Sequence, residues 1–408
     1  MSTAFVTILI AIMVTSSLAL TTAVDRVSGG HVTTISNKDM RRDTEGNPVN
    51  AHDGNILYWN GTYYLYGENY GVGNYVVNNN SLLPKLAVYT SPDMVTWTWQ
   101  GFLHNNTPGG NWAHSGKWPQ SPFGTWWSPW AVLDKVRNRV VLWFTASPGS
   151  CCTAYFGVAY SADGIHFTLE TLTLQPFDHS SVDGSAVLMD DDGKGYVAYT
   201  AMNPPGQKDH TVAIQRLSDD YLSVLPVSQG GGQVGGYFPD YFVEGVMIFK
   251  RKGKYYVMYS SCCCACREGS GAVVLSSDSI EGPWTRQSRD VNCNIDAPVC
   301  AGMPSEPPRP QGNLTISAQG IGISILPNAS DPTGTPTFLW SGGRWLSAPN
   351  NPPKCTTLCT TDTGDCQQSP RYDKGADYEY WIPLQFDEGT QQVKQFASFQ
   401  DTFTLNLP

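Results

Sequence analysis

Residues 252–259 read Lys252-Gly-Lys-Tyr-Tyr-Val-Met-Tyr259, a polar turn that runs straight into a strand of Tyr and Val. The pattern recurs at Asn60-Gly-Thr-Tyr-Tyr-Leu-Tyr66, at Arg137-Asn-Arg-Val-Val-Leu-Trp-Phe144 and at Asp192-Gly-Lys-Gly-Tyr-Val-Ala-Tyr199. A weaker copy is Thr337-Phe-Leu-Trp-Ser-Gly-Gly-Arg-Trp345. Gly and Asn suit the turn, and aromatic and β-branched residues suit a half-buried pleated surface. Most copies are followed by a second piece, a strand, then Ser, a turn and an aromatic. It spans Val88–Trp97, Val158–Phe167 and Val274–Trp284. A unit of several strands repeated around five times is the signature of a β-propeller. One blade cannot bury both its faces, so the blades must stack about an axis. A β-sandwich does not generate the paired repeat. The sequence therefore predicts an all-β fold, a five-bladed propeller that occupies residues 24–408 as one domain.

Composition agrees. Of 408 residues, 12% are aromatic and only 15% charged, which excludes a disordered chain. Forty Gly, 28 Pro, 20 Tyr and 13 Trp fit short strands and tight turns. A net charge of −10 argues against nucleic acid as a partner, since phosphate binding needs a basic surface.

The apolar run from Ala4 to Leu20, followed by small residues to Ala23, reads as a signal peptide over residues 1–23. It is at the short limit for a membrane span, and no other stretch could cross a bilayer. A secreted protein without stable membrane association is expected. Eleven cysteines follow, and in an exported chain they read as disulfides with one thiol left over. The run Cys262-Cys-Cys-Ala-Cys266 fits no zinc spacing. Asn-x-Ser/Thr sequons at Asn60, Asn79, Asn105, Asn313 and Asn328 fit the same export route. Three segments break the rhythm: Asn105–Pro122, Asn292–Gln311 and Asn350–Pro370. The last two read as disulfide-stapled loop insertions at blade edges.

A propeller holds its ligand where the inner strands converge, so acids that start those strands matter most. Asp53 lies at the entry to the first blade. Asp183 precedes the Asp-Asp-Asp-Gly193 turn, itself read as a solvated hairpin. Glu244 lies between apolar residues just before the Lys252–Tyr259 repeat. Asp-Gly is a good turn dipeptide, so Asp53 and Asp183 taken singly could be turn residues. Glu-Gly is a poorer turn signal. An apolar setting favours a neutral carboxyl, which suits a general acid. Two carboxyls across a pocket can hydrolyse a glycosidic bond, one protonating the leaving oxygen and the other activating water. Trp126, Trp127, Trp130 and Tyr66 are candidate sugar platforms, with blade packing as the competing reading.

These residues resemble glycoside hydrolase family 43, whose members are five-bladed propellers that cleave arabinose-, xylose- or galactose-containing polymers with inversion. The family's base Asp precedes the first hairpin's Tyr-Tyr by ten residues, as Asp53 precedes Tyr63-Tyr64. Its acid sits in a Glu-Gly/Ala-Pro-x-x-Phe-Lys-x-x-Gly-x-Tyr-Tyr pattern. Glu244-Gly-Val-Met-Ile-Phe-Lys-Arg-Lys-Gly-Lys-Tyr-Tyr256 matches it, with Val246 in place of Pro. The third family Asp tunes the acid; Asp183 is the candidate, one residue upstream of the usual position. Either a bulge absorbs the offset or Gly184 holds the position without a carboxylate.

Within the family, the exo-β-1,3-galactanase branch is most similar, through Ala51-His52, Tyr66-Gly-Glu-Asn69, Gly342-Gly-Arg-Trp345 and Tyr380-Trp-Ile-Pro-Leu384. That branch usually has Gly where this chain has Asp53. The resemblance implies Glu68, Gln319 and His52 as further sugar-binding candidates. It implies a monomeric enzyme that takes a polysaccharide or oligosaccharide and requires no cofactor. Some members hold an axial calcium or other ion, which His52 or His210 would border. The competing reading is a non-catalytic carbohydrate-binding propeller.

Overall fold

The computed structural model of the chain describes residues 30–71, 85–103, 112–113, 125–147, 153–261, 267, 269–293, 314–331, 333–349 and 374–408. The expected signal peptide, ten of the eleven cysteines, the sequons at Asn79, Asn105 and Asn313, and most of the three insertions lie outside these residues. Cys293 is buried and disulfide-bonded.

Each repeat forms one antiparallel blade. The first consists of Ile56–Trp59, Thr62–Asn69, Lys85–Ser91 and Thr98–Phe102. The second consists of Thr125–Asp134, Arg139–Ser147, Tyr155–Ser161 and Phe167–Leu174, with Trp112–Ala113 beside its last strand. The third has three strands, Ser181–Met189, Gly195–Met202 and Thr211–Arg216. The fourth has four, Val243–Arg251, Lys254–Ser261, Val273–Ser277 and Thr285–Arg286. The fifth is Gln319–Leu326, Thr337–Arg344 and Tyr378–Pro383. The first strands of successive blades pack against one another, and the fifth returns to the first. The five-bladed propeller read from the repeats is the fold.

Aromatic layers join the blades. Tyr64, Tyr66, Trp126 and Phe144 fill the seam between blades one and two. Trp143, Phe156, Tyr199 and Tyr259 run through blades two to four. Phe249, Tyr256, Phe338 and Trp340 join blades four and five. The second recurrent piece has a hydrogen-bonded cause. The Ser91 hydroxyl accepts the Asp93 and Met94 N–H groups, and the Asp93 carboxylate accepts those of Val95 and Thr96. Ser161 and Asp163 repeat this for residues 163–166. The turn swings Trp97 and Phe167 into the core.

The Asp-Asp-Asp-Gly193 turn is only partly solvated. Asp190 accepts a hydrogen bond from Lys250 Nζ at 2.5 Å and one from the Tyr255 hydroxyl at 2.5 Å, tying blade three to blade four. Those two partners come from a neighbouring blade, which a local turn motif does not reveal.

The ring is closed by a feature that the repeats did not announce. His31–Ser36 pairs antiparallel with Thr402–Leu407, so the two ends of the propeller clasp. Ile35, Phe403, Leu405 and Leu407 from this clasp pack with Ile56, Tyr63, Leu339 and Trp381 at the seam between blades five and one. Deleting buried Leu405 removes apolar contact at the point where covalent connection between blades is missing. Leu405→Ala should lower the unfolding free energy by about 2–4 kcal/mol, read as a reduced denaturant midpoint at unchanged m-value.

Candidate active site

Every inner strand carries one extra residue at the same height. In blade one, His52 exchanges backbone hydrogen bonds with Glu68, and Ile56 pairs with Leu65, so three residues oppose two. The register shifts between Trp127 and Trp130, between Asp183 and Ser185, between Glu244 and Met247, and between Gly320 and Gly322. These are β-bulges, which re-aim side chains next to a site. The left-handed backbone that four of them contain is visible at Asp53 (φ 55°), Ser128 (φ 51°), Gly184 (φ 67°) and Gly245 (φ 63°). At Gly245 the requirement is strict, because a Cβ there would lie 2.1 Å from the Gly320 carbonyl oxygen. Trp127, Asp183 and Glu244 thus occupy the same position in blades two to four, directly before the left-handed residue, while Asp53 is itself the left-handed residue of blade one and Gln319 stands one residue before the shift in blade five.

Hydrogen bonds between blades hold these positions in register. The Asn55 amide donates to the Ala131 carbonyl at 2.9 Å and accepts from the Ala131 N–H at 2.8 Å. The Ile56 N–H donates to the Ser324 hydroxyl at 2.8 Å.

The carboxyls form two linked groups. On one side, the Tyr70 hydroxyl lies within hydrogen-bond reach of Glu68 Oε2 and 3.4 Å from Asp53 Oδ2. The Ser128 N–H donates to Glu68 Oε1 at 2.7 Å. Burial, reinforced by the Asp53 charge, pushes the Glu68 carboxyl well above its ordinary range. Burial also raises Asp53, with Lys374 pulling it down and Glu379 pushing it up. The Tyr70 hydroxyl donates to Glu68, and the same hydrogen-bonding group also lies beside Asp53. Asp183 is half-buried and accepts the Trp127 indole N–H at 3.2 Å. Burial raises its carboxyl, His210 lowers it, and Asp53 raises it further. Gly184 is the left-handed residue of this blade's bulge, and Asp183 directly precedes it.

On the other side, Gln319 Nε2 donates to Glu244 Oε1 at 2.7 Å. Gln319 Oε1 accepts the Trp345 indole N–H at 2.7 Å, which fixes the orientation of the amide. Lys374 Nζ lies 4.0 Å from the centre of the Trp345 ring and 5.2 Å from that of Tyr70. A continuous series of contacts therefore runs from Glu244 through Gln319, Trp345, Lys374 and Tyr70 to Asp53.

Four sequence expectations are corrected by position. Tyr66 is fully buried, and its hydroxyl donates to the Gly164 carbonyl at 2.8 Å, so it packs blade one on blade two. Trp126 stacks on Phe144 in the same seam. His52 is buried behind the pocket wall, with Nδ1 3.1 Å from Glu379 Oε1 and Nε2 3.4 Å from the Gly375 carbonyl. Strand alternation explains Trp126, since it is the neighbour of pocket-facing Trp127 and points to the blade interior. Trp130 also belongs to the core, donating to the Val187 carbonyl at 3.2 Å. Trp127 alone of these aromatics is half-exposed at the site.

The residues also fit an axial ion poorly. Calcium takes six to eight oxygen ligands. Both ring nitrogens of His52 face protein oxygens, while His210 stacks on Phe242 with Nδ1 3.0 Å from Asp209. Among the described residues no three His, Cys, Asp or Glu side chains converge as a metal site.

Sequence reading missed Tyr70, Lys374, Glu379 and the roles of Ser128 and Trp345. Tyr70 stands two residues after Glu68, the spacing of one strand face, and could have been found. Glu379 is a charged residue set among aromatics in Tyr378-Glu-Tyr-Trp381, a second usable signal. Lys374 follows a non-repeating stretch and offered none.

The profile of the family described as "Glycosyl hydrolases family 43" matches residues 46–294. An arabinoxylan arabinofuranohydrolase of Paenibacillus polymyxa is 26% identical over 225 residues, 51% of this chain. The chain spans about a third (33%) of that relative's length. An exo-β-1,3-galactanase structure from Clostridium thermocellum superimposes with TM-score 0.62 at 20% identity, covering 91% of this chain and 67% of that one. One from Phanerochaete chrysosporium, determined with galactose, gives 0.62 at 20% identity, covering 92% and 69%. At such identities the likeness establishes the fold.

The bulge geometry makes a direct prediction. Gly245→Ala forces a Cβ into the Gly320 carbonyl at a left-handed residue and should cost about 1–3 kcal/mol. Gly46→Ala, at φ 87° but with nothing within 4 Å of its Cβ, should cost about 1 kcal/mol or less. Chemical denaturation of the two variants side by side checks the order.

Proposed function

The chain belongs to glycoside hydrolase family 43, and from that premise we propose that it hydrolyses O-glycosyl bonds in galactose-, arabinose- or xylose-containing polysaccharides, with β-1,3-galactan as the leading substrate. This reading is supported by Asp53, Asp183 and Glu244 each lying at the bulge of an inner strand, with Asp183 feeling the Asp53 charge and Glu244 linked to Asp53 through Gln319, Trp345, Lys374 and Tyr70. The fold likeness to proteins named exo-β-1,3-galactanase supports galactan, and the relative named for arabinoxylan makes that polymer the next to test.

In the proposed reaction, ionised Asp53 accepts a proton from water as the water attacks the anomeric carbon. Glu244 gives its proton to the departing glycosidic oxygen. Attack opposite the leaving group inverts the anomeric configuration. Asp183 tunes the field at the pair. Half-exposed Trp127, its indole N–H fixed on Asp183, is the platform for a sugar face. Glu68 is held too tightly by Tyr70 and the Ser128 N–H to act as a free base. We read the enzyme as an exported monomer, in keeping with the apolar run from Ala4 to Leu20 and the exposed sequon at Asn60.

A panel of galactans, arabinans, arabinoxylan and xylan, with the product anomer followed by proton NMR, tests the reading. Inverted product from one of these polymers is expected. A retained anomer would overturn the mechanism, and no product from any polymer would transfer the assignment to a carbohydrate-binding propeller. Glu244→Gln should reduce kcat by about 10²–10⁴, the usual contribution of a general acid, while oligosaccharide affinity survives.

The pH profile follows from the direction of the Asp53 shift. Protonated Asp53 cannot accept a proton, so kcat/KM falls as pH drops through its pKa. Burial raises that pKa, so the acidic limb should lie above the ordinary aspartate value of about 3.9.

A further inference from the structure

Lys374 is an unusual cation for a propeller seam. It is fully buried, and among the described residues its ammonium makes no hydrogen bond. Its nearest anion is Asp377, with Nζ to Oδ2 at 3.8 Å. Asp377 is already committed, since its two oxygens accept the N–H groups of Leu346 at 3.0 Å and Ala348 at 2.9 Å. A buried ammonium with unspent donors is costly unless a negative field surrounds it. That field exists, because Asp53, Asp377, Glu379 and Glu68 all face Lys374.

The groups that face Asp53 come from several blades. Glu68 and the Tyr70 hydroxyl come from blade one, and Asp183 from blade three. Glu379, from the last strand of blade five, accepts the Asp53 backbone N–H. The Asp53 Oδ1 and Glu379 Oε1 atoms lie 3.2 and 3.5 Å from where a Cβ of Gly343 would stand, so the two carboxyls converge. The nearby cationic candidates are His52 and Lys374, with Arg41 facing Glu379 from the far side. Burial and Lys374 push His52 down to about 4, so it is neutral near neutral pH. Its ring therefore cannot balance Asp53.

We propose that Lys374 is the positioning residue whose buried charge holds Asp53 in its ionised, proton-accepting form. The ammonium is seated on the Trp345 ring and beside Asp377, so its place is set by blade five while its field acts on blade one. Because Trp345 also orients Gln319 against Glu244, one anchor serves both carboxyls of the pair. The role in turnover rests on the reading of Asp53 as the base; the effect on Asp53 itself does not.

The test measures Asp53 directly. The ¹³C carboxyl signal of Asp53, assigned by its loss in Asp53→Asn, is titrated in the full chain and in Lys374→Met, Lys374→Gln and Lys374→Arg. A nearby opposite charge shifts a carboxyl by about 1–3 pH units. The Asp53 midpoint should therefore rise by about one unit or more in the two neutral variants and stay near the parent value in Lys374→Arg. An unchanged midpoint in a folded neutral variant overturns the proposal. Should both neutral variants fail to fold, reciprocity supplies the same measurement from the other partner. Asp53→Asn must then lower the titration midpoint of Lys374, followed at its ¹³Cε signal, and an unmoved midpoint overturns the proposal equally. The acidic limb of kcat/KM on the hydrolysed polymer is the second readout. If the Asp53 midpoint moves and the limb does not, Lys374 keeps its role and Asp53 loses its assignment as the base.

Discussion

A single extra residue on each inner strand is the constraint on which the site depends. A regular strand directs alternate side chains into its two neighbouring seams, and both seams in this ring are filled with aromatic residues. Nothing on such a strand would face the axis with freedom to do chemistry. The bulge breaks the alternation once in each inner strand and re-aims the side chains beside it. Five repeats of one local irregularity thereby become one site. The backbone cost appears as left-handed residues, and where the next blade's carbonyl stands closest, glycine is the residue that fits.

The second theme is the crowding of acids. Bringing Asp53, Glu68, Asp183 and Glu379 together in a poorly solvated space favours their neutral forms, because like charges and burial act in the same direction. A working base must escape that trend. Glu68 is pushed well above its ordinary range by burial and the Asp53 charge, against the pull of the Tyr70 hydroxyl and a backbone N–H on its two oxygens. Lys374 and the Tyr70 hydroxyl act the other way on Asp53. Different environments for chemically similar groups separate their roles, as in other paired-carboxyl sites.

Much of this was legible in the chain itself. The turn-and-strand repeat marks all five blades because its cause is local: turn residues, β-favouring residues and a Ser-x-Asp turn that hydrogen-bonds to its own backbone. Asp53, Asp183 and Glu244 were legible as candidates for the same reason, since each stands seven to nine residues ahead of its hairpin turn. The tryptophans were not. Trp126 and Trp127 are adjacent and chemically identical, yet one stacks on Phe144 in a seam and the other holds Asp183. Only the register of their strand separates them. Tyr66 failed in the same way, since its hydroxyl partner, Gly164, belongs to a turn of another blade. The clasp between His31–Ser36 and Thr402–Leu407 was equally hidden, because neither strand belongs to a repeat.

By itself, then, the sequence determined the blade count, the all-β class and the acids at the head of the inner strands. Those properties depend on residues within about a dozen positions of one another. Tertiary structure alone decided which acid is partnered by which neighbour, and that a lysine just ahead of the last strand of blade five lies against Trp345 and Tyr70. These depend on seams between blades far apart in the chain, where distance and burial set the energy and spacing along the sequence carries no information about either.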